Sequence, residues 1–291
     1  MNVYAIIIVL ISTFMHAGWN LLARGKRTEK DFFMGMLSVV AVVGFVPAVI
    51  SESLVKSIPM QAWFYVLGSG LCCGSYYIFV DRAYSSADFT HVYPLTRSLP
   101  VIFVGIGEIT LGRYPSCDGW IGMGLVVLGS LFMPLHYFRQ ISILSYWNKT
   151  SVTLFFAALG TVGYSLLDKL ASEIVRQGGF TAARYGYFFF LFSFIFYSLG
   201  KLIFLKGEII LSLAHWKEMI LAGLLDFGAY WLVLWAYQLA DHASYVVAFR
   251  QFSVIIGVVI AFVLFKEQGR LARLIGAVII TVGLLIIALF G

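Results

Sequence analysis

The chain has 291 residues, 61% of them hydrophobic and 12% charged, with a formal net charge of +6. Soluble domains run at about 45–50% apolar and about 25% charged, so a water-solvated fold is excluded and the bilayer is the solvent. The positive charge falls mostly in short stretches between apolar runs, where Lys and Arg set membrane topology; it is no signature of nucleic-acid binding.

A membrane span needs about 20 mostly apolar residues. In chain order ten segments qualify, at roughly 3–23, 32–50, 62–82, 90–111 and 119–138, then 152–171, 184–205, 217–238, 243–265 and 270–290. The first lacks a basic leader and a convincing cleavage site, and reads as a retained helix rather than a signal peptide. The fifth and tenth are rich in glycine, which lets helix backbones approach closely. The connections are short. The longest, 139–151, links a first unit at 1–138 to a second at 152–291. The expected fold class is an all-α membrane protein of ten transmembrane helices.

The two units repeat one another. His16-Ala17-Gly18-Trp19-Asn20 lies in register with Thr161-Val162-Gly163-Tyr164-Ser165, Tyr77 with Tyr230, and Asp88 with Asp241. Arg97 lies in register with Arg250, and Gly122 and Gly129 with Gly276 and Gly283. An odd number of spans per unit means that tandem units enter the membrane from opposite sides. The expectation is therefore two inverted five-helix repeats, an architecture of secondary transporters with the substrate site where the halves meet.

Several residue types carry chemistry in such a setting. A charge at the centre of a spanning helix costs about 2.5–3.5 kcal/mol on insertion scales and needs a partner or a function. Arg97 and Arg250 hold symmetric positions, and the planar guanidinium matches carboxylates and phosphates through paired hydrogen bonds. They are candidate anion clamps; the competing reading pairs each with an intramembrane acid or with backbone carbonyls. Asp226 is either a coupling carboxylate or the counter-ion of Arg250, with the ion pair preferred. Glu108 and His16 are further coupling candidates, histidine because it titrates near neutral pH. Asp168 and Lys169 read as interfacial anchors.

His16 shares a helix face with Trp19 and Asn20. With Tyr77, Tyr93, Tyr164, Tyr230, Trp231 and Tyr245, these two are candidate wall residues of a substrate cavity, although about half of such aromatics are expected to face lipid or to pack. Aromatics there would also serve a cationic substrate. Pro94 and Pro100 bracket Arg97, and a kink at membrane depth is best tolerated where it lines a cavity. The repeat is broken at His16 against Thr161, Cys73 against Asp226 and Pro100 against Ser253. A substrate is not two-fold symmetric, so specificity is expected at those mismatches.

Cys72, Cys73 and Cys117 form no CxxC, so neither a disulfide framework nor a zinc site is expected, and no cofactor is called for. No Walker motif, HExxH or nucleophile–base pair is visible, which argues against an ATP-driven pump and against an enzyme.

The glycine-rich fifth and tenth segments, Lys266-Glu267 ahead of Gly276 and Gly283, the His16–Asn20 motif and Tyr93-Pro94-Leu95-Thr96-Arg97-Ser98-Leu99-Pro100 together resemble the EamA-type transporters of the drug/metabolite transporter superfamily. They look most like a bacterial subgroup, which implies a bacterial plasma or inner membrane. The resemblance covers essentially the whole chain. It departs at Arg113, where the second unit has Glu267. The Lys and Arg distribution places both termini outside the cytoplasm, whereas the resemblance implies cytoplasmic termini; the two expectations stand opposed.

The expected function is secondary transport of a small polar metabolite (amino-acid-like, or bearing a carboxylate or phosphonate) by alternating access. Proton coupling, exchange and simple facilitation stay open as modes. The alternatives are an organic-cation transporter with an aromatic cage and a non-transporting membrane scaffold or sensor. Expected partners are the substrate, the lipid bilayer and protons, with no nucleic acid, in a monomer or homodimer.

Overall fold

The computed structural model describes residues 1–23, 32–84, 89–132, 149–204, 215–264 and 270–291, with backbone alone for 23, 84, 89–96, 261, 264 and 270. All its regular structure is helical: α1 (Val3–Ala23), α2 (Phe32–Val43), α3 (Phe45–Val55), α4 (Met60–Tyr84), α5 (Phe89–Thr110), α6 (Cys117–Phe132), α7 (Lys149–Ile174), α8 (Gly179–Phe204), α9 (Trp216–Leu239), α10 (Ala243–Arg250), α11 (Phe252–Leu264) and α12 (Arg270–Phe290). In lipid every backbone N–H and C=O must be satisfied within the chain, and long apolar helices do so internally.

Seven helices are long and apolar enough to cross a membrane, and α2 with α3 makes an eighth if that bent pair is one span. The expected count was ten. The fourth and fifth expected spans fall short of this criterion for different reasons. Arg97, Ser98, Glu108 and two prolines dilute the apolar run of α5. For α6 only 16 residues are described.

Two expected spans are interrupted. α2 and α3 meet at 46°. The ring of Tyr187 lies against Gly44, where a Cβ would sit 2.5 Å from ring carbon Cδ2, and its hydroxyl donates to the Ala41 carbonyl at 3.0 Å. Pro47, in the first turn of α3, removes a further N–H from the ladder. The ninth expected span runs on as one apolar span over Ala243–Ile260 and is interrupted only at Gln251, where the N–H groups of Gln251 and Val254 turn to the carbonyls three residues back.

The most extensive packing joins the two halves of the sequence: α1 on α9, α4 on α7 and α6 on α12. α5 packs on α7 and α10, and α1 on α10 and α11. The core thus lies between the halves. The α6–α12 contact is backbone on backbone: a Cβ at Gly129 would stand 2.6 Å from the Gly276 carbonyl oxygen, and one at Gly283 would stand 2.6 Å from that of Gly122.

Polar contacts gather one end of the bundle. The Met1 ammonium lies 3.3 Å from the Gly291 carbonyl oxygen, and Ser116 Oγ 3.3 Å from that of Phe290. Arg184 of α8 meets Glu52 of α3 at 3.2 Å and Ser57 Oγ at 2.9 Å. Arg113, after α5, pairs with Glu173 of α7 at 2.5 Å.

Candidate functional site

Between the halves lies a cavity of about 60 Å³. On that measure a single water needs about 10–15 Å³, so the space admits a small polar group. Its wall draws on α1, α4, α5, α7, α8, α9 and α10. Eight of the residues expected at a site line it: His16, Trp19, Tyr77, Arg97, Tyr164, Asp226, Tyr230 and Arg250.

One side of the cavity is rich in donors. Arg97 Nη1 lies 2.6 Å from His16 Nε2, and Arg97 Nη2 donates to Ser253 Oγ at 3.2 Å. Trp19, one turn beyond His16, donates its indole N–H to His16 Nδ1 at 3.1 Å, and the Asn20 amide donates to the His16 carbonyl at 2.8 Å. A neutral imidazole has one N–H and one lone pair. Arg97 and Trp19 are both obligate donors, so in this arrangement one ring nitrogen must oppose a donor with an N–H of its own. An oxygen acceptor entering here relieves that conflict.

The interruption at Gln251 serves this side as well. The Gln251 amide donates to the Arg97 carbonyl at 2.8 Å, and Ser253 Oγ donates to the Arg250 carbonyl at 2.8 Å. These bonds tie the backbones of both arginines together at one cavity.

The other side is aromatic and acidic. The Arg250 guanidinium sits 5.4 Å from the centre of the Tyr230 ring. Phe189 of α8 stacks on the same ring at 4.5 Å and 27°. Asp226 accepts from the Tyr77 hydroxyl at 3.1 Å. The preferred Arg250–Asp226 ion pair is not formed: among the described residues no carboxylate lies within 4.0 Å of either Arg97 or Arg250. Tyr77 reaches the carboxylate from α4, while Arg250, at the end of α10, covers Tyr230 instead.

Other expected site residues sit elsewhere. Glu108 is wholly buried and caps α10, accepting from the backbone N–H of Ala243 at 2.6 Å and the hydroxyl of Ser244 at 2.5 Å. Trp231 donates to the Gly179 carbonyl at 2.7 Å, tying α9 to the start of α8. The Tyr245 hydroxyl accepts from the Ser116 N–H at 2.9 Å. Asn20 donates to the His16 carbonyl and is not among the cavity-lining residues. The side chain of Tyr93 lies outside the described residues.

Asp168 and Lys169 are not interfacial anchors. Asp168 is fully buried and accepts from the hydroxyls of Tyr185, at 2.9 Å, and Tyr230. Lys169 donates to the carbonyls of Tyr237 and Ala240 at 3.1 and 2.6 Å, where the end of α9 presents unpaired oxygens to a cation. Sequence reasoning ended this span at about 171, which put both residues near a membrane surface; α7 runs on to Ile174. It also passed over Phe189, Phe190 and Gln251, whose only signal was the aromatic run Tyr187–Phe190 for the first two. The mismatched repeat positions all fall at the cavity: His16, Thr161, Cys73, Asp226 and Pro100 line it, and Ser253 bonds Arg97.

Residues 3–135 match the family model of the EamA-like transporter family, and residues 148–290 match that of solute carrier family 35. No curated protein matches the sequence. One solved protein structure overlays on 98% of this chain and 97% of its own, with a TM-score of 0.71 at 13% identity; so low an identity speaks to the fold alone.

Proposed function

The chain belongs to the EamA-type drug/metabolite transporter superfamily, and we propose that it is a secondary transporter for a small polar metabolite carrying a carboxylate, phosphonate or similar anionic group. The observation that carries this reading is the pair of arginines. Arg97 and Arg250 line one small cavity, and among the described residues neither has a carboxylate within 4.0 Å. Two guanidinium groups facing one enclosed space at membrane depth call for an anion. The crowding of donors around His16 points the same way. Asp226 with Tyr77 offers an ammonium group a seat on the opposite wall, which favours an amino-acid-like zwitterion.

A cation held by an aromatic cage is the weaker reading, because Arg250 already occupies one face of Tyr230. A scaffold or sensor has no need of two arginines at one cavity.

Alternating access follows if the units at 1–138 and 152–291 are inverted repeats of five spans, with α2–α3 and α10–α11 as interrupted spans. Two features support this. α1 begins at the end of the bundle where its counterpart α7 finishes. The α1–α9 and α4–α7 packings exchange when the halves are swapped, while α6–α12 maps onto itself. Rocking of the halves then opens the cavity to either face in turn, driven by exchange or by protons.

The test is a thermal-stabilisation screen of the purified protein against amino acids, phosphonates, sugar phosphates and organic amines, followed by uptake of the best ligand into proteoliposomes. An anion or zwitterion should stabilise the protein. A hydrogen bond to a charged group is worth about 1.5–3 kcal/mol, so Arg97→Gln should weaken binding by about 10- to 100-fold. Unimpaired transport by the Arg97→Gln/Arg250→Gln double variant would overturn the anion clamp. Stabilisation by amines alone would install the aromatic-cage reading in its place.

A further inference from the structure

We infer that Asp168 is the proton-carrying carboxyl of this transporter and that Tyr230 links it to the substrate cavity. The inference rests on the transporter reading above and adds to it a site behind the cavity wall.

Asp168 lies on α7 with none of its surface exposed. One oxygen accepts from Tyr185 of α8 at 2.9 Å and the other from Tyr230 of α9. Among the described residues no basic side chain comes within 4.0 Å of it. A membrane-buried acid held by hydroxyl groups, with no ion partner, has the form of a group that carries charge in only part of a cycle.

The groups facing it can be named from every side. α4 presents Ser69, Cys72 and Cys73, α8 Tyr185, α9 Tyr230 and Tyr237, and α10 Arg250, while Tyr164 lies on α7 itself. The adjacent Lys169 points away, to the carbonyls of Tyr237 and Ala240. Arg250 is therefore the positive charge that acts on Asp168, and Tyr230 stands between them. Its ring lies under the guanidinium and its hydroxyl bonds the carboxylate.

The proton count makes this arrangement a switch. A carboxylate accepts from both phenols. A carboxylic acid must donate once, so on protonation one of the surrounding hydroxyls (Tyr185, Tyr230 or Ser69) becomes the acceptor. Tyr185 and Ser69 are not among the cavity-lining residues; Tyr230 is, so its hydroxyl is the one whose turning the cavity registers. Only an O–H bond forms, with a proton from water in the opened cavity, and the reverse step returns that proton to water. With Asp168 neutral, the field of Arg250 is uncompensated on that side and the cavity favours an anion. Proton and anion therefore bind together, and each raises the affinity for the other.

The test follows the carboxyl directly, by infrared difference spectra of the purified protein as the pH is lowered. Wild type should gain a carboxylic-acid carbonyl band. The band should be lost in Asp168→Asn, kept in Asp226→Asn, and moved in frequency in Tyr230→Phe, which removes the hydroxyl. The pH at which it appears should shift in Arg250→Gln and not in Arg97→Gln. An unchanged band in Asp168→Asn overturns the inference, as does a wild type that gains no band. If Asp168→Asn does not fold, Asp168→Glu replaces it: a displaced band supports the assignment and an unmoved one refutes it. The spectra need no substrate. A failed ligand screen therefore defeats the transporter reading alone, and an unchanged band defeats the coupling site alone.

Discussion

Glu108, Asp168 and Asp226 are the same chemistry to a sequence reader, an acid inside an apolar run, yet they hold three different positions. Glu108 is spent on the start of α10, Asp226 faces the cavity, and Asp168 lies behind its wall. Each assignment is made by a donor far away in the chain: Ala243 for Glu108, Tyr77 for Asp226, Tyr230 for Asp168. Tyr77 and Tyr230 are repeat partners, but Tyr77 donates across the halves to Asp226 whereas Tyr230 donates to Asp168 within its own half. Residue type was therefore legible, and partner was not, because the partners lie across the packed helices. Glu108→Gln should separate structure from coupling. It removes the charge from hydrogen bonds to Ala243 and Ser244, at a cost of about 1–3 kcal/mol. The purified variant should melt at a lower temperature, while transport per folded molecule and its pH dependence stay as in wild type. A changed pH dependence at unchanged stability would return Glu108 to the coupling machinery.

At the level of helices, glycine told more than proline. Gly122, Gly129, Gly276 and Gly283 mark two helices whose backbones can be approached closely, and α6 and α12 pack on one another carbonyl against glycine. The interruption at Gln251 had no such signal, since neither Gly nor Pro stands at 250–252. It is held by side chains, through Gln251 to the Arg97 carbonyl and Ser253 to Arg97 and Arg250. An interruption fixed by tertiary hydrogen bonds leaves no periodicity for a sequence to show. The glycines permit a paired test on one helix. A methyl at Gly129 would stand 2.6 Å from a backbone oxygen that cannot turn aside, whereas one at Gly124 meets nothing within 4 Å. Overpacking costs about 1–3 kcal/mol, and replacing a helical glycine by alanine gains up to about 1 kcal/mol. Gly129→Ala should lower the melting temperature and Gly124→Ala should hold or raise it. Equal melting temperatures would show that α6 and α12 move apart at no cost.

For the transporter as a unit, the question is how firmly the end that holds both termini is shut. Two kinds of contact close it, and they differ in strength. Lys169 is buried against the carbonyl end of α9, so removing its charge should cost folding itself. The Arg113–Glu173 pair joins the first half to the second at the rim of an open recess of about 540 Å³, with side-chain exposures of 21% and 42%. Ion pairs that exposed are worth about 0–1 kcal/mol. That is weak for a structural tie and suitable for a contact that must break in each cycle. Glu173 also pairs with the buried Lys169 at 3.2 Å, so the exposed arm is cut by Arg113→Gln, which should leave the fold intact and favour opening at this end by up to about fivefold, the factor that corresponds to about 1 kcal/mol. Cys73 supplies the reporter, since it lines the cavity and is only 4% exposed in this closed arrangement. With Cys72 and Cys117 replaced by serine, a membrane-impermeant maleimide applied from this side should label Cys73 faster in Arg113→Gln. Arg113→Lys, which keeps the charge, should bring the rate back toward that of wild type. A labelling rate indifferent to all three forms would mean that the halves do not part here, and the closing contact would have to be sought at Glu52 and Arg184 instead.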